Sequence, residues 1–238
     1  WACYHTRLYT VKQRGVEFAI LGCAVGSSFA VLVAEQLFAS GCKTLISVTS
    51  AGIINPTKNN SKFVLIEQAT RDEGTSYHYL PANETSNVNA DLSNRLMAYY
   101  RAAGLQIETG NSWTTDAPYR ETRTAINEAK KLNVVCVEME AAALYAFAKA
   151  KDKDVICFAH LTNTMAQTEG DFEKGEEMGS LDTLELIHHT INAVVKNQAY
   201  HWNKIYATKQ PNEVSWTQEI PKTSLDFIHS FGLPKTAK

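Results

Sequence analysis

Residues 16–52 read VEFAILGCAVGSSFAVLVAEQLFASGCKTLISVTSAG. The apolar runs 16–22 and 44–49 predict two buried strands. Between them, residues 28–40 place apolar side chains at helical spacing, and Gly41 is positioned to end that helix. A strand, a turn of small residues, a helix and a second strand in this order are typical of a βαβ unit. We therefore expect a sheet with helical crossovers.

The same alternation of predicted strands and helices continues to about residue 196, with no break in composition and no internal repeat. This order predicts one α/β domain, which we assign to residues 1–198. Residues 199–238 contain prolines, scattered aromatic residues and little periodicity, and we expect them to form a C-terminal extension. Further predicted strands are 62–69, 106–115, 134–138 and 155–161, and further predicted helices are 90–104, 121–132, 140–150 and 182–196.

Composition excludes several classes of protein. The 238 residues are 45% hydrophobic and 20% charged with a formal net charge of −2, and without a basic block we expect no nucleic-acid partner. No apolar run is long enough to span a membrane, and the first residues do not have the pattern of a secretory signal. The five cysteines include no C-x-x-C pair, so we expect no metal site and a reducing, cytoplasmic location.

The run VVCVEMEAAALYAFAKA, residues 134–150, carries two carboxylates, Glu138 and Glu140, inside an apolar stretch. An unpaired buried carboxylate is costly, so each needs hydrogen-bond donors or a cation. A structural ion pair with Arg or Lys would satisfy them, and so would a role for Glu140 as an acidic residue in the first turn of the next helix. A ligand with hydroxyl donors, such as a sugar, would serve equally. Spacing alone leaves these interpretations open.

Four ordered stretches resemble the nucleoside phosphorylase and nucleosidase superfamily, which includes purine nucleoside phosphorylases, uridine phosphorylases and methylthioadenosine nucleosidases. VEMEAAALYAFA resembles its V-E-M-E-A-x-A-L signature, and GCAVGSSFAVLVAEQLFASGCKTLISVTSAG resembles its glycine loop, helix and second strand. GNSWTTDAPY resembles its base-site loop, and FAHLTNTM its late strand. The resemblance covers residues 4–196. It implies a single α/β domain with a mixed, twisted, partly barrel-like sheet flanked by helices, the phosphorylase/hydrolase-like fold.

The resemblance implies a sugar site around the two carboxylates. Glu140 would accept hydrogen bonds from the ribose 2′- and 3′-hydroxyls, and Met139 would pack under the sugar. Glu138 would support that site or meet the base. The C1′–N bond of a nucleoside breaks through an oxocarbenium-like state, by analogy with glycoside hydrolysis. The carboxylate of Glu140, the expected catalytic residue, would stabilise the developing positive charge.

The resemblance also implies a site for the nucleophile, which is phosphate or water. Backbone N–H groups of the glycine loop and of the turn after the second strand would cradle it, together with the Ser50 hydroxyl. Without the resemblance, these serines and glycines would be interpreted as ordinary turn residues. The residues expected at this site are Gly22, Gly26, Ser50, Ala51 and Gly52.

The base site implied by the resemblance lies in the loop after residue 114 and at the end of the late strand. Pro118 and Tyr119 would place an apolar face and a ring against the base, while Thr115 and Asp116 would line it. Asp116 could equally cap its own loop. Asn163 stands where purine-cleaving members carry an Asp that protonates the leaving base. Because an amide delivers no proton, Asn163 would act in catalysis only through a hydrogen bond to the base.

Two departures from the family pattern concern phosphate. The family's N-terminal strand and its Gly-x-Pro-x-Arg phosphate loop do not occur in these residues, and Ser47 stands where phosphorylases usually carry Arg. Arg supplies the bidentate contacts that bind phosphate well, so both departures favour water as the nucleophile.

Because phosphorylases are the commoner class in this superfamily, the leading interpretation is nevertheless a nucleoside phosphorylase-like enzyme. It would cleave the N-glycosidic bond of a purine or pyrimidine ribo- or deoxyribonucleoside with inorganic phosphate as co-substrate and no other cofactor. The alternatives are a hydrolytic nucleosidase and a catalytically inactive nucleoside-binding or storage protein on the same fold. The family also implies a homo-oligomer: a dimer, trimer or hexamer.

Overall fold

The computed structural model of the chain describes residues 6–163 and 179–208, and for residues 195–208 it describes the backbone alone. Most of the predicted C-terminal extension, residues 209–238, lies outside the described residues. The strands are β1 (Leu8–Gln13), β2 (Val16–Leu21), β3 (Thr44–Ile53), β4 (Phe63–Asp72), β5 (Thr85–Asn87), β6 (Glu108–Thr115), β7 (Val134–Glu138) and β8 (Asp154–Asn163). The helices are α1 (Ser27–Ala39), α2 (Ala90–Ala102), α3 (Arg123–Lys131), α4 (Ala141–Lys151) and α5 (Ser180–Thr208), with single 3₁₀ turns at Ser76–His78 and Pro118–Arg120.

Six strands form the main sheet in the order β5-β4-β6-β7-β3-β8. The pairs β4–β6, β6–β7 and β3–β8 are parallel, whereas β4–β5 and β3–β7 are antiparallel. Strand β4 also pairs antiparallel with β8, which joins two distant strands and curls the sheet into a partial barrel. The expected mixed, partly barrel-like α/β architecture is confirmed.

Helix α4 is the central helix of the core. Its residues 141–147 are all buried, and its alanines allow α1 to approach closely through Ala30, Val31 and Ala34. The hydroxyl of buried Tyr145 donates to the carbonyl oxygen of Ile66 at 2.5 Å and accepts from the backbone N–H of Cys157 at 3.1 Å. These bonds tie α4 to β4 and β8, so the start of the helix has a fixed position on the sheet.

The predicted βαβ unit is wrong in one respect, because β2 does not enter the main sheet. It pairs antiparallel with β1 in a separate two-stranded sheet, around a turn in which Arg14 and Gly15 both have positive φ. Such two-residue turns match the twist of a hairpin. β2 alternates half-buried and exposed residues instead of being fully buried, as a strand covered on one face does. Residues 44–49 of β3, also expected to be buried, are half-exposed.

Helix α5 is longer than the predicted helix 182–196 and crosses the predicted domain boundary at residue 198. Of the two compact units in the chain, one ends at Ala193 and the other begins at Val194. The division of the chain at residue 198 stays a prediction. No helix in the described part of the chain is long and apolar enough to cross a bilayer.

Candidate active site

The candidate active site is built where β7 ends and α4 begins. Glu138 is the last residue of β7, and Glu140 immediately precedes the first residue of α4. Their exposed fractions are 3% and 4%. Within residues 6–163 and 179–194, neither carboxylate forms an ion pair with Lys, Arg or His. Hydrogen-bond donors without charge therefore have to satisfy both groups.

Glu138 is satisfied entirely by the protein's own donors. Its Oε2 accepts from the backbone N–H groups of Glu140 and Ala141, both at 2.7 Å. Its Oε1 accepts from the hydroxyl of Ser112 at 3.0 Å and from that of Thr114. The two N–H groups belong to the residue before α4 and to the first residue of α4, where a carboxylate also meets the positive end of the helix dipole. The helix-start role considered for Glu140 is thus filled by Glu138.

Burial dominates the electrostatics of Glu138. It raises the pKa of this carboxyl group from 4.5 to about 7, and the charge of Glu140 acts in the same direction. Hydrogen bonds from Thr114 and from the backbone N–H groups of Ala141 and Glu140 oppose the shift. The raised pKa means that burial outweighs these donors.

Glu140 connects three elements. Its Oε1 accepts from the backbone N–H of Gly26 at 2.7 Å, and its Oε2 accepts from the hydroxyl of Thr49 at 2.7 Å and from the backbone N–H of Met139 at 3.3 Å. The Ser27 hydroxyl donates to the carbonyl oxygen of Met139 at 2.8 Å. The glycine loop and β3 are therefore held directly against the carboxylate expected to bind the sugar, and Met139 beside it is half-buried.

The expected turn at residues 50–52 is wrong, because these residues continue β3 to Ile53, with a register shift between Ala51 and Gly52. Gly52 pairs with Val137 of β7 on one side and with Asn163 of β8 on the other. Ala51 and Gly52 are buried, whereas Ser50 and Gly22 are exposed. The side-chain amide of Asn163 donates to the Thr162 hydroxyl at 3.3 Å. The structure thus brings the end of β3, where the nucleophile is expected to bind, and Asn163 to the end of β7.

The predicted base loop follows β6. Thr114 pairs with Glu138 in the β6–β7 register, so buried Thr115 lies one residue beyond that pair. Asp116 accepts a hydrogen bond from the backbone N–H of Gly74 at 3.0 Å, which is a loop-capping contact. Pro118 and Tyr119 are exposed, Tyr119 completely, so the structure places neither against the carboxylates. The contacts of these residues with a base stay predictions.

A buried arginine that sequence reasoning did not single out organises the loop after β4. The guanidinium of Arg71 donates to the Ser76 hydroxyl at 2.8 Å and to the carbonyl oxygens of Pro81 and Leu80 at 2.7 and 3.2 Å. It also lies 4.3 Å from the ring centroid of Tyr77. This loop contains Gly74, whose N–H group donates a hydrogen bond to Asp116. Arg71 therefore indirectly supports the predicted base loop.

Sequence reasoning also missed the three hydroxyls that bind the carboxylates, those of Thr49, Ser112 and Thr114. The signal for two of them was the alternation along β6, since residues 112 and 114 must face the same side of the sheet. In the described ranges, no group of three or more His, Cys, Asp or Glu side chains is arranged to hold a metal ion.

Two curated proteins are similar to this chain over part of their length. A uridine phosphorylase of Thermococcus kodakarensis is 26% identical over 155 residues, which are 60% of this chain and 56% of the relative. A DeoD-type purine nucleoside phosphorylase of Streptococcus pyogenes serotype M5 is 30% identical over 143 residues, 59% of this chain and 60% of the relative. The chain thus spans less than two thirds of these curated relatives.

The fold is also found in a solved structure, that of AMP nucleosidase from Bacteroides thetaiotaomicron. It matches with a TM-score of 0.65 at 20% identity and covers 82% of this chain and 80% of that one. At this identity the likeness concerns the fold alone. The family profile described as "Phosphorylase superfamily" matches residues 3–192, which is most of the chain. The chain therefore belongs to the phosphorylase superfamily.

Proposed function

We propose that the protein cleaves the N-glycosidic bond of a purine or pyrimidine ribo- or deoxyribonucleoside, with inorganic phosphate as the acceptor. The observation that carries this proposal is the environment of Glu140. Its buried carboxylate is held by Gly26, Thr49 and Met139 and by no cation in the described part of the chain. An unneutralised carboxylate at this point is suited to hydroxyl donors and to a sugar that becomes positively charged.

The proposed reaction divides the work among three parts of the site. Glu140 orients the pentose by accepting a hydrogen bond from the sugar and stabilises the positive charge that develops as the C1′–N bond breaks. A phosphate oxygen then forms a bond to C1′ while the electron pair of the C1′–N bond leaves with the base. The base takes up the proton of the hydrogen phosphate, which gives a pentose 1-phosphate and the free base. Ser50, with the backbone N–H groups of the glycine loop and of the end of β3, would hold the phosphate. Asn163 would hydrogen-bond the departing base.

Hydrolysis is the second candidate, and one specific observation favours it. Residue 47, where the family's phosphorylases carry Arg, is a half-buried Ser in β3. Among the described residues, no Lys or Arg side chain donates a hydrogen bond to the glycine loop or to residues 50–52 of β3. A phosphate held only by backbone and hydroxyl donors binds less strongly than one held by guanidinium groups, whereas water needs no cation.

One assay separates these activities. Purified protein is incubated with adenosine, guanosine, inosine, uridine and thymidine, with and without inorganic phosphate, and free base is measured by chromatography. Phosphorolysis requires phosphate and yields a pentose 1-phosphate. Equal base release in both buffers with free pentose as the product would establish hydrolysis instead. Binding of a nucleoside in calorimetry without any base release would establish a binding protein.

The role of Glu140 is tested with a matched pair of variants. Glu140→Gln keeps the shape of the side chain but removes its charge, and we expect kcat/KM to fall by roughly 10²-fold or more, as for other preorganised electrostatic groups. Glu17→Gln on the exposed side of β2 makes the same chemical change away from the site and should keep the wild-type rate. Undiminished turnover in Glu140→Gln would refute the assigned role.

A further inference from the structure

Thr49 occupies an acceptor position on one oxygen of Glu140, the carboxylate expected to bind the sugar. Its hydroxyl donates to Oε2 of Glu140 at 2.7 Å, and the N–H of Met139 reaches the same oxygen at 3.3 Å. Oε1 accepts from the N–H of Gly26 at 2.7 Å, and the described residues supply it with no second donor. Because a carboxylate offers about two acceptor positions on each oxygen, Oε2 is full and Oε1 keeps one position.

The Thr49 hydroxyl donates its proton mainly to Glu140. Its other acceptor is the carbonyl oxygen of Ser50 at 3.4 Å, and a hydroxyl has only one proton to give. The shorter, charge-assisted bond to Glu140 is the stronger of the two. Thr49 is half-buried in β3, and its β-branched side chain is stiff about χ1. A sugar hydroxyl would therefore have to compete with a donor that the fold already holds in place.

We propose that Thr49 determines the sugar selectivity of the site by leaving Glu140 one acceptor position for the pentose. This inference rests on the proposed function. A ribonucleoside presents both a 2′- and a 3′-hydroxyl, whereas a 2′-deoxyribonucleoside presents only the 3′-hydroxyl. A carboxylate with two free acceptor positions forms hydrogen bonds with both hydroxyls and therefore favours ribose over 2′-deoxyribose. With one free position, it engages a single hydroxyl that both sugars possess, so the protein accepts ribo- and 2′-deoxyribonucleosides alike.

The test compares kcat/KM for adenosine with 2′-deoxyadenosine and for uridine with 2′-deoxyuridine. We expect the wild-type ribo-to-deoxy ratio to lie within about tenfold of one. Thr49→Val keeps the shape of the side chain and removes the donor, which opens Oε2 to the 2′-hydroxyl. The ratio should then rise by about tenfold or more, the effect of one hydrogen bond to a charged group. If Thr49→Val does not fold, Thr49→Ala removes the same donor and provides the same comparison.

Two controls isolate the hydroxyl. Thr49→Ser retains the donor and should retain the wild-type ratio, while Thr44→Val removes a threonine hydroxyl at the other end of β3, away from Glu140. A wild-type protein that already prefers ribose by a large factor, or a ratio that stays the same in active Thr49→Val protein, would overturn the role of Thr49 and leave the proposed function intact. Absence of base release from every nucleoside would overturn both.

Discussion

Glu138 is a buried carboxyl group whose protonation is coupled to folding. Burial, reinforced by the charge of Glu140, raises its pKa from 4.5 to about 7 in the folded protein. Between these two pH values the folded protein keeps the proton and the unfolded chain releases it. The contribution of this group to stability is therefore fully present below about pH 4.5 and is lost as the pH rises through 7. We expect a loss on the order of 3 kcal/mol in the free energy of unfolding.

Urea denaturation at a series of pH values from 5 to 8 measures this effect. Glu138→Gln cannot titrate and still offers an oxygen to the first turn of α4, so its stability should lack the decline seen in the wild type. Glu128→Gln changes an exposed carboxylate paired with Lys131 and should follow the wild-type curve. Parallel curves for the wild type and Glu138→Gln would show that the pKa of Glu138 is not raised.

At the residue scale the sequence predicted that Glu138 and Glu140 need hydrogen-bond donors, but it did not predict which donors each carboxylate has. The resemblance implied that Glu140 binds the sugar and that Glu138 supports that site or meets the base. In the structure the four donors to Glu138 are internal, and two of them come from Ser112 and Thr114 in another strand. A contact between strands that are distant in sequence depends on β6–β7 register, which the sequence of β7 alone does not contain.

The glycine loop between β2 and α1 has a backbone conformation that only glycine adopts easily. Gly26 has φ 90° and ψ 148°, and its N–H donates to Glu140. Gly26→Ala should therefore be strained although a Cβ there would meet no atom within 4 Å. Strain of this kind costs roughly 1–3 kcal/mol, and a loop that relaxes to relieve it moves its donor away from the carboxylate.

We expect Gly26→Ala to lower Tm by several degrees, at about 2–4 °C per kcal/mol for a chain of this size, and to reduce kcat/KM. Circular dichroism melts and the base-release assay measure the two effects. Gly22→Ala is the matched control for stability, because residue 22 has no positive φ and open space around its Cβ. Equal Tm values for the two variants would contradict the expected strain at Gly26.

Among the elements, the bounds of β7 and α4 were predicted to within one residue because their composition strongly favours a strand followed by a helix. A short apolar run ends in Glu138, and an alanine-rich segment with strong helix formers follows. The run 16–22 was correctly predicted to contain a strand, which the structure has at Val16–Leu21, yet the partner of that strand was not predicted. An apolar run fixes neither the neighbour of a strand nor its burial, and the tight turn at Arg14 and Gly15 allows β2 to pair locally with β1.

In the whole molecule, the two sheets differ in how they are supported. The main sheet is joined to itself through β4 and β8 and packs on the fully buried start of α4. The hairpin β1–β2 shares no ladder with that sheet, and it exposes Leu8 and Tyr9. Its ion pair between Arg14 and Glu185 is exposed and so contributes little. No local sequence pattern predicted this difference between the two sheets, because it depends on strand pairings between distant parts of the chain.

Amide hydrogen exchange should reveal this difference directly. A two-stranded hairpin is marginally stable by itself, so its amides can exchange by local opening, whereas amides of β8 need nearly global unfolding. We expect hydrogen-bonded amides in residues 8–21 to exchange at least about 100-fold faster than those in residues 155–162. Peptide-resolved mass spectrometry measures both regions in one sample. Equal protection would mean that β2 is part of the main sheet in solution. A βαβ unit would place β2 beside the edge of β3 that β7 pairs with only at Gly52 and Ile53.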